Sequence, residues 1–172
     1  MNQELLNELR QISREEREYR EGNGDVNRGI YMEPETQMVD YKRLIESGKT
    51  IEIRTHTRFV HFPQHTHNYV ELIYMCSGHT THIVNGDRIE LGTGELLFLN
   101  QNAAQEIYPA GEDDIAVNFI ILPAFFDYAL SMMGEEENLV RKFVLDCLKS
   151  KDADVSYLHF QVADVLPIQN LM

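Results

Sequence analysis

From Thr50 onward the chain changes period, and that change constrains the fold more than any other feature of the sequence. Ile51, Ile53 and Thr55 alternate with Glu52, Arg54 and His56. Alternation of this kind sends successive side chains to opposite faces of a strand. Further short strands follow at intervals of about ten residues. They are read at 69–76, 80–84, 88–91, 96–99, 105–108 and 115–122. Asn85-Gly86 is a two-residue hairpin signal, and Gly92-Thr93-Gly94, 100–104 and 109–114 read as turns and loops. Such a series predicts a mainly β sandwich or barrel with 50–122 as its body. In the 69–76 strand, Val70, Leu72, Tyr74 and Cys76 share one face; Glu71, Ile73 and Met75 share the other.

The flanks have a different texture. Leu5, Leu6, Leu9 and Ile12 give residues 3–20 a short apolar stripe, which predicts a marginal helix. A flexible turn is expected at 21–25, and 27–49 reads as irregular, with Tyr31, Met38 and Tyr41 as packing anchors. Residues 1–49 are therefore expected to form an N-terminal helical arm. After Pro123 the period becomes helical. Phe125, Phe126, Ala129, Met132 and Met133 mark a helix over 123–133, and Leu139, Val140, Phe143, Val144, Cys147 and Leu148 mark a broader one over 136–149. Glu135–Glu137 suits a solvated helix start. Residues 123–172 thus read as a helical segment. A Pro-initiated helix at Leu166-Pro167 ends after about one turn, too short to be stable alone. That shortness carries the expectation that the chain continues in a longer polypeptide.

A chain of 172 residues with 43% hydrophobic content supports one domain with appendages. It has no run of 18 apolar residues and no secretion signal at its start, and its two cysteines, Cys76 and Cys147, sit in apolar contexts. These features predict a cytoplasmic protein with reduced, buried thiols and no membrane span. The net charge of −13 opposes binding to nucleic-acid phosphate, so DNA is not expected as a partner of this chain itself.

Chemistry concentrates in His65-Thr-His67-Asn-Tyr-Val-Glu71, at i, i+2 and i+6. On one extended strand these three groups would share a face. Two imidazoles and a carboxylate can ligate Zn, Ni, Mn or Fe(II). The same groups can line a metal-free polar pocket, or form a structural hydrogen-bonded cluster. His61 is placed at the pocket mouth, at most one of His79 and His82 faces inward, and His56 and His159 are expected at or near the surface. No Ser-centred elbow, phosphate loop or Cys–His pair is evident.

Residues 61–122 resemble a cupin. His65, His67, Glu71 and Gly78 match the first cupin motif, whose leading Gly is replaced by Phe59. Of the second motif only Gly94 remains: Asn100 stands for the Pro, Asn102 for the Gly, Gln105 for the His and Pro109 for the Asn. A narrower resemblance, to the sensor domain of AraC-type transcriptional regulators, is carried by His65-Thr-His67, Tyr69–Gly78, Asn85-Gly86, Leu91–Glu95, Leu96–Asn100 and the order of barrel then two helices. The resemblance implies a double-stranded β-helix (jelly-roll) barrel that binds a small effector, such as a sugar or related metabolite. It also implies a homodimer, and DNA contact only through a separate C-terminal helix-turn-helix domain. The expected effector site comprises His65, His67, Glu71 and Gln105, with Ile73, Met75, Phe98 and Tyr108 as walls; the expected metal set, for one divalent ion, is His65, His67, Glu71 and Gln105. No enzymatic activity is expected. The competing reading is a small metal-dependent cupin enzyme of isomerase or dioxygenase type. The 136–149 helix is expected to divide its apolar face between the barrel and a two-fold mate.

Overall fold

The structure, a computed structural model, describes residues 3–22, 26–126, 130, 138–148 and 154–170. Its body is two five-stranded sheets, ordered β1-β3-β8-β5-β6 and β10-β7-β4-β9-β2. The strands are β1 (Met38–Val39), β2 (Ile51–Thr55), β3 (Phe62–His67), β4 (Val70–Ser77), β5 (His79–Val84), β6 (Asp87–Gly92), β7 (Leu96–Leu99), β8 (Gln105–Ile107), β9 (Ile115–Ile121) and β10 (Tyr157–Phe160). The expected jelly-roll barrel is therefore present, with β2 to β9 filling the span read from the alternation. Two short strands from outside that span complete the sheets. β1 pairs in parallel with β3, and β10 pairs antiparallel with β7, Tyr157 opposite Leu99 and Phe160 opposite Leu96.

Turn chemistry sets the barrel's corners. Asn85 and Gly86 adopt φ values of 53° and 94°, as a two-residue primed turn requires, and Val84 pairs with Asp87 across it. Gly78, the last residue of the first cupin motif, has φ 74°; a Cβ there would collide with the Asp114 carboxylate. Phe59 stands where the motif's leading Gly would be, and it keeps the glycine-like backbone at φ 68°. Its N–H donates to the Ala110 carbonyl at 3.0 Å, and the guanidinium carbons of Arg20 and Arg58 each lie 5.3 Å from its ring centre.

Side-chain parity divides the packing. Ile73 and Met75 of β4 join Val84, Ile89, Leu91, Leu97, Leu99 and Ala116 inside the barrel. The alternate residues of β4 and β9 face outward and are covered by helices. Tyr74, Cys76, Leu96, Ile115 and Val117 meet Leu6 and Leu9 of α1 (Gln3–Leu9), together with Ile168. Val70, Ile121 and Leu158 meet Phe126, Phe143, Val144 and Cys147.

The stretch read as one helix over 3–20 is two, α1 and α2 (Arg14–Glu21). The break has a local cause. The Ser13 side chain accepts from the Glu16 N–H, and the Glu16 carboxylate accepts from the Ser13 N–H at 2.8 Å, a capping box that starts α2 afresh. A third helix, α3 (Arg28–Tyr31), leads into β1. The arm is folded against the barrel: Tyr19, Val26, Tyr31, Met32, Val39, Leu44 and Ile45 are buried with Val60, Phe62, Tyr69, Ile107 and Ile120. Met38, expected as an anchor, is exposed instead.

Of the helix expected over 123–133, Phe125, Phe126 and Leu130 are helical, whereas Ala129, Met132, Met133 and Glu135–Glu137 lie outside the described residues. The second helix is α4 (Leu139–Leu148). Pro167 lies in the first turn of α5 (Leu166–Gln169). Cys76 and Cys147 are free and buried, with burial pushing the thiols up to about 11 and about 12.

Candidate functional site

A cavity of about 60 Å³ lies at one end of the barrel, between the two sheets and beneath the arm. Tyr31, Val39 and Leu44 of the arm close it from one side. From the barrel come Arg54, His56, Thr57, Val60, Phe62, His65, His67, Tyr69, Glu71, Ile107, Asn118 and Ile120. Two liquid-water volumes would fill it. It is thus a small chamber of mixed polarity, with histidines, Glu71, Arg54 and Asn118 among apolar side chains.

His65 and His67 sit two apart on β3, as expected, with ring centres 4.9 Å apart. Glu71 does not share their strand. The chain turns at Asn68-Tyr69 and enters β4 in the opposite sheet. Convergence therefore comes from the barrel's closure, not from common parity along one strand. The His67 Nε2 to Glu71 Oε2 separation is 3.8 Å. At that distance an opposite-charge pair would shift both groups toward ionisation, yet the directions found are the reverse, and burial decides both. Burial holds His67 well below its ordinary value of 6.5, with His65 adding to the effect. Burial raises Glu71 to about 7, against the Asn118 hydrogen bond that favours its anion. The contact is a packed neighbour pair, not an ion pair. Burial also lowers His65 to about 4, although its bond to the Pro63 carbonyl opposes this.

The hydrogen bonds fix the imidazole tautomers. His65 Nδ1 is 2.8 Å from the Pro63 carbonyl, so it donates. His56 Nδ1 donates to Asn118 Oδ1 at 3.1 Å, and Asn118 Nδ2 donates to Glu71 Oε1 at 2.9 Å. Gln105 Nε2 donates to His82 Nδ1 at 3.0 Å, so His82 Nε2–H donates to Thr80 Oγ1 at 2.8 Å. Four buried atoms in this interior network have no partner: His56 Nε2, His67 Nδ1, Glu71 Oε2 and Gln105 Oε1.

The remaining expected site residues are placed elsewhere. Gln105 is opposite His65 in the β3–β8 register, but its amide is engaged with His82 deeper in the barrel. Ile73 and Met75 belong to the interior packing and do not line the cavity. Phe98 points out of the barrel, with ring centres 5.9 Å from Phe143 and 5.7 Å from Phe160. Tyr108 is exposed, with its ring beside His61. These corrections share a cause: the walls were assigned from the middle of β4, from β7 and from Tyr108, whereas the chamber is built by the arm, β2, β3, β9, the start of β4 and the end of β8. His56, expected near the surface, is buried in the wall. Of His79 and His82, only His82 is inside. His61 pairs with Glu106 at 2.7 Å on the surface, and His159 Nε2 lies 2.9 Å from Glu95.

The metal expectation meets a geometric test. Among the described residues no three His, Cys, Asp or Glu side chains are grouped closely enough to hold a metal ion. The residue in the fourth ligand position, Gln105, has its amide turned to His82. The arrangement does not fit a bound divalent ion.

The sequence model of the AraC-like ligand-binding domain matches residues 51–136, half of the chain. The chain belongs to that family. No curated protein is similar enough in sequence to count as a relative of this AraC-like domain. Among solved structures, an apo lysine-to-alanine variant of ToxT from Vibrio cholerae superposes with a TM-score of 0.51 at 9% identity, over 74% of this chain and 47% of that one. Wild-type ToxT bound to an unsaturated fatty acid gives 0.47 at 9% identity, with the same coverage. The EutQ protein of Clostridium difficile gives 0.35 at 22% identity, over 43% of this chain and 56% of that one. This chain thus spans about half the length of the ToxT chains, and the superposition at 0.51 speaks to the fold alone.

The sequence reading missed Arg54, Asn118 and the arm residues. A signal existed for the first: Arg54 of β2 and His56, just past its end, fall two apart and alternate with the exposed Ile53. A polar inward face on a barrel strand marks a lined cavity.

Proposed function

We propose that this AraC-like domain senses a small molecule in the barrel chamber, within a transcriptional regulator whose DNA-reading part is separate, and that it dimerises. The observation that carries the reading is the composition of the chamber wall. Tyr31, Val39 and Leu44 of the arm and His56, His67 and Glu71 of the barrel line one cavity. An occupant of that space touches both bodies at once. A ligand that favours one arrangement of the arm shifts that equilibrium by its differential affinity, which is the physical content of sensing. The arm's own ties run through the same wall: the Tyr31 hydroxyl donates to Glu15 Oε1 at 2.7 Å and lies 3.0 Å from Thr57 Oγ1.

Dimerisation rests on α4. Phe143, Val144 and Cys147 are buried on the outer sheet, whereas Leu139 is 59% and Val140 43% exposed. The face is divided as a helix shared with a two-fold mate would be.

Thermal melts against a panel of sugars, amines and carboxylates at saturating concentration test the sensing reading. It expects at least one saturable rise in melting temperature and no turnover. A panel without any rise contradicts it. The catalytic alternative draws on one observation, a buried carboxyl near neutrality beside imidazoles. Stoichiometric metal in the purified chain, with a turnover abolished by His67→Ala, would establish it.

A further inference from the structure

One side chain of the chamber carries chemistry that the fold does not use. Arg54 stands opposite Asn118 in the β2–β9 ladder, so the two side chains leave the sheet on one face, and both line the chamber. Arg54 is half-buried, and among the described residues its side chain makes no ion pair or hydrogen bond. The one carboxylate of its own strand, Glu52, is held by Lys49 at 3.1 Å. Glu71, on the same lining, is tied to Asn118, and burial raises it to about 7. His56, His65 and His67 are held neutral by burial. At pH 6 the charge of the lining is therefore that of Arg54. That charge reaches into the chamber wall: it opposes the burial that pushes the Tyr69 hydroxyl well above its ordinary value. A guanidinium so placed keeps its N–H donors for whatever enters the cavity.

We infer that the chamber takes the carboxylate of a small organic acid, received by Arg54. The inference rests on the sensing reading and specifies its ligand class. A guanidinium presents parallel N–H donors in a planar fork, the complement of the two oxygens of a carboxylate. One cation balances one anionic charge, which favours a monocarboxylate over a phosphate. Val60, Phe62, Ile107 and Ile120 on the same lining offer apolar surface to the carbon part of such an acid. The volume of about 60 Å³ admits a head group of a few heavy atoms. The net charge of −13 opposes an anion at long range, so the attraction is short-range and comes from Arg54 itself. Glu71 is the opposing feature nearby, and the test is run below its value of about 7, where it holds its proton.

Four probes of similar size distinguish the classes in thermal melts at pH 6: sodium acetate, acetamide, ethylammonium chloride and sodium phosphate, each against sodium chloride at matched ionic strength. Acetate should raise the melting temperature saturably and the other three should not. Arg54→Gln, folded by its far-UV spectrum, should bind acetate more weakly by roughly tenfold or more. Side-chain N–H resonances give a readout that needs no variant: those of Arg54 should move on titration with acetate, and those of Arg58, engaged with Glu16, should not. An equal rise with acetamide or phosphate, a rise confined to ethylammonium, or an acetate response undiminished in Arg54→Gln overturns the carboxylate class while leaving sensing in place. Acetate that neither shifts the melt nor moves the Arg54 resonances also overturns it. A flat response across the whole panel of sugars, amines and carboxylates removes the sensing reading itself.

Discussion

Phe59 keeps a glycine's backbone angle with a phenylalanine's side chain. Its φ of 68° lies where a Cβ costs roughly 1–2 kcal/mol. Phe59→Gly is therefore expected to be more stable than Phe59→Ala by about 1 kcal/mol in urea denaturation, since both lose the ring and only one keeps the strain. Arg58 makes a different demand. Its guanidinium donates to Glu16 Oε1 at 2.7 Å and Oε2 at 3.1 Å, and to the Glu112, Arg10 and Gln11 carbonyls, all within a buried junction of arm and barrel. Arg58→Ala leaves Glu16 buried without its cation, and about 3–5 kcal/mol of destabilisation is expected from the denaturation midpoint. Burial alone would raise Glu16, but the Arg58 and Ser13 bonds outweigh it, so the carboxyl stays below 4.5. Its contribution is present above pH 4.5 and lost as pH falls through the lowered value. Glu71 has the opposite sign. Between 4.5 and about 7 the folded state holds a proton that the unfolded chain releases, so stability declines as pH rises through that window. His65 works from the acid side: below 6.5 the unfolded chain takes up a proton that the fold refuses down to about 4. Glu71→Gln should remove the decline between pH 4.5 and 7 while the acid-side loss persists, as read from urea midpoints over a pH series.

Elements whose sequences repeat a period were legible, and those defined by contact were not. β2 to β9 follow from alternation and turn residues, because a half-buried strand must alternate. α4 follows from a stripe of apolar residues whose inner part, Phe143, Val144 and Cys147, does meet the sheet. β1 is two residues long and β10 is Tyr157-Leu158-His159-Phe160, without alternation; each exists because a neighbouring sheet edge receives it. Asn100 helps to place β10: its N–H and side-chain amide donate to the Ser156 and Val155 carbonyls at 2.9 and 2.8 Å. The site was half legible for the same reason. His65 and His67 follow from strand spacing, but the wall from β2, β9 and the arm depends on which strands meet across the barrel, which period does not encode. The break at Ser13 was written in the Ser13–Glu16 pairing, a capping box inside a stretch of helix-forming residues. For α4, two variants separate packing from association. Phe143→Ala should cost about 3–5 kcal/mol of stability, since the ring is 2% exposed. Leu139→Asp with Val140→Asp should leave the melting temperature within a few degrees and convert a dimer to monomer in sedimentation at micromolar concentration. A dimer that survives the double change places the interface elsewhere.

At the scale of the molecule, the arm and the barrel are one packed body around a chamber that neither builds alone. The arm supplies Tyr31, Val39 and Leu44, and the junction at Glu16–Arg58 anchors it. On the proposed sensing reading, binding in the chamber and seating of the arm are coupled in one free energy, and each strengthens the other by the same factor. The most direct measurement is the ligand-induced rise in melting temperature of the wild type beside Val60→Phe, whose larger ring enters the chamber from a wall position. The expected result is a compound that stabilises the wild type saturably and leaves Val60→Phe, folded by its far-UV spectrum, unmoved. Equal stabilisation of both proteins would place the binding outside the chamber and contradict sensing at this site.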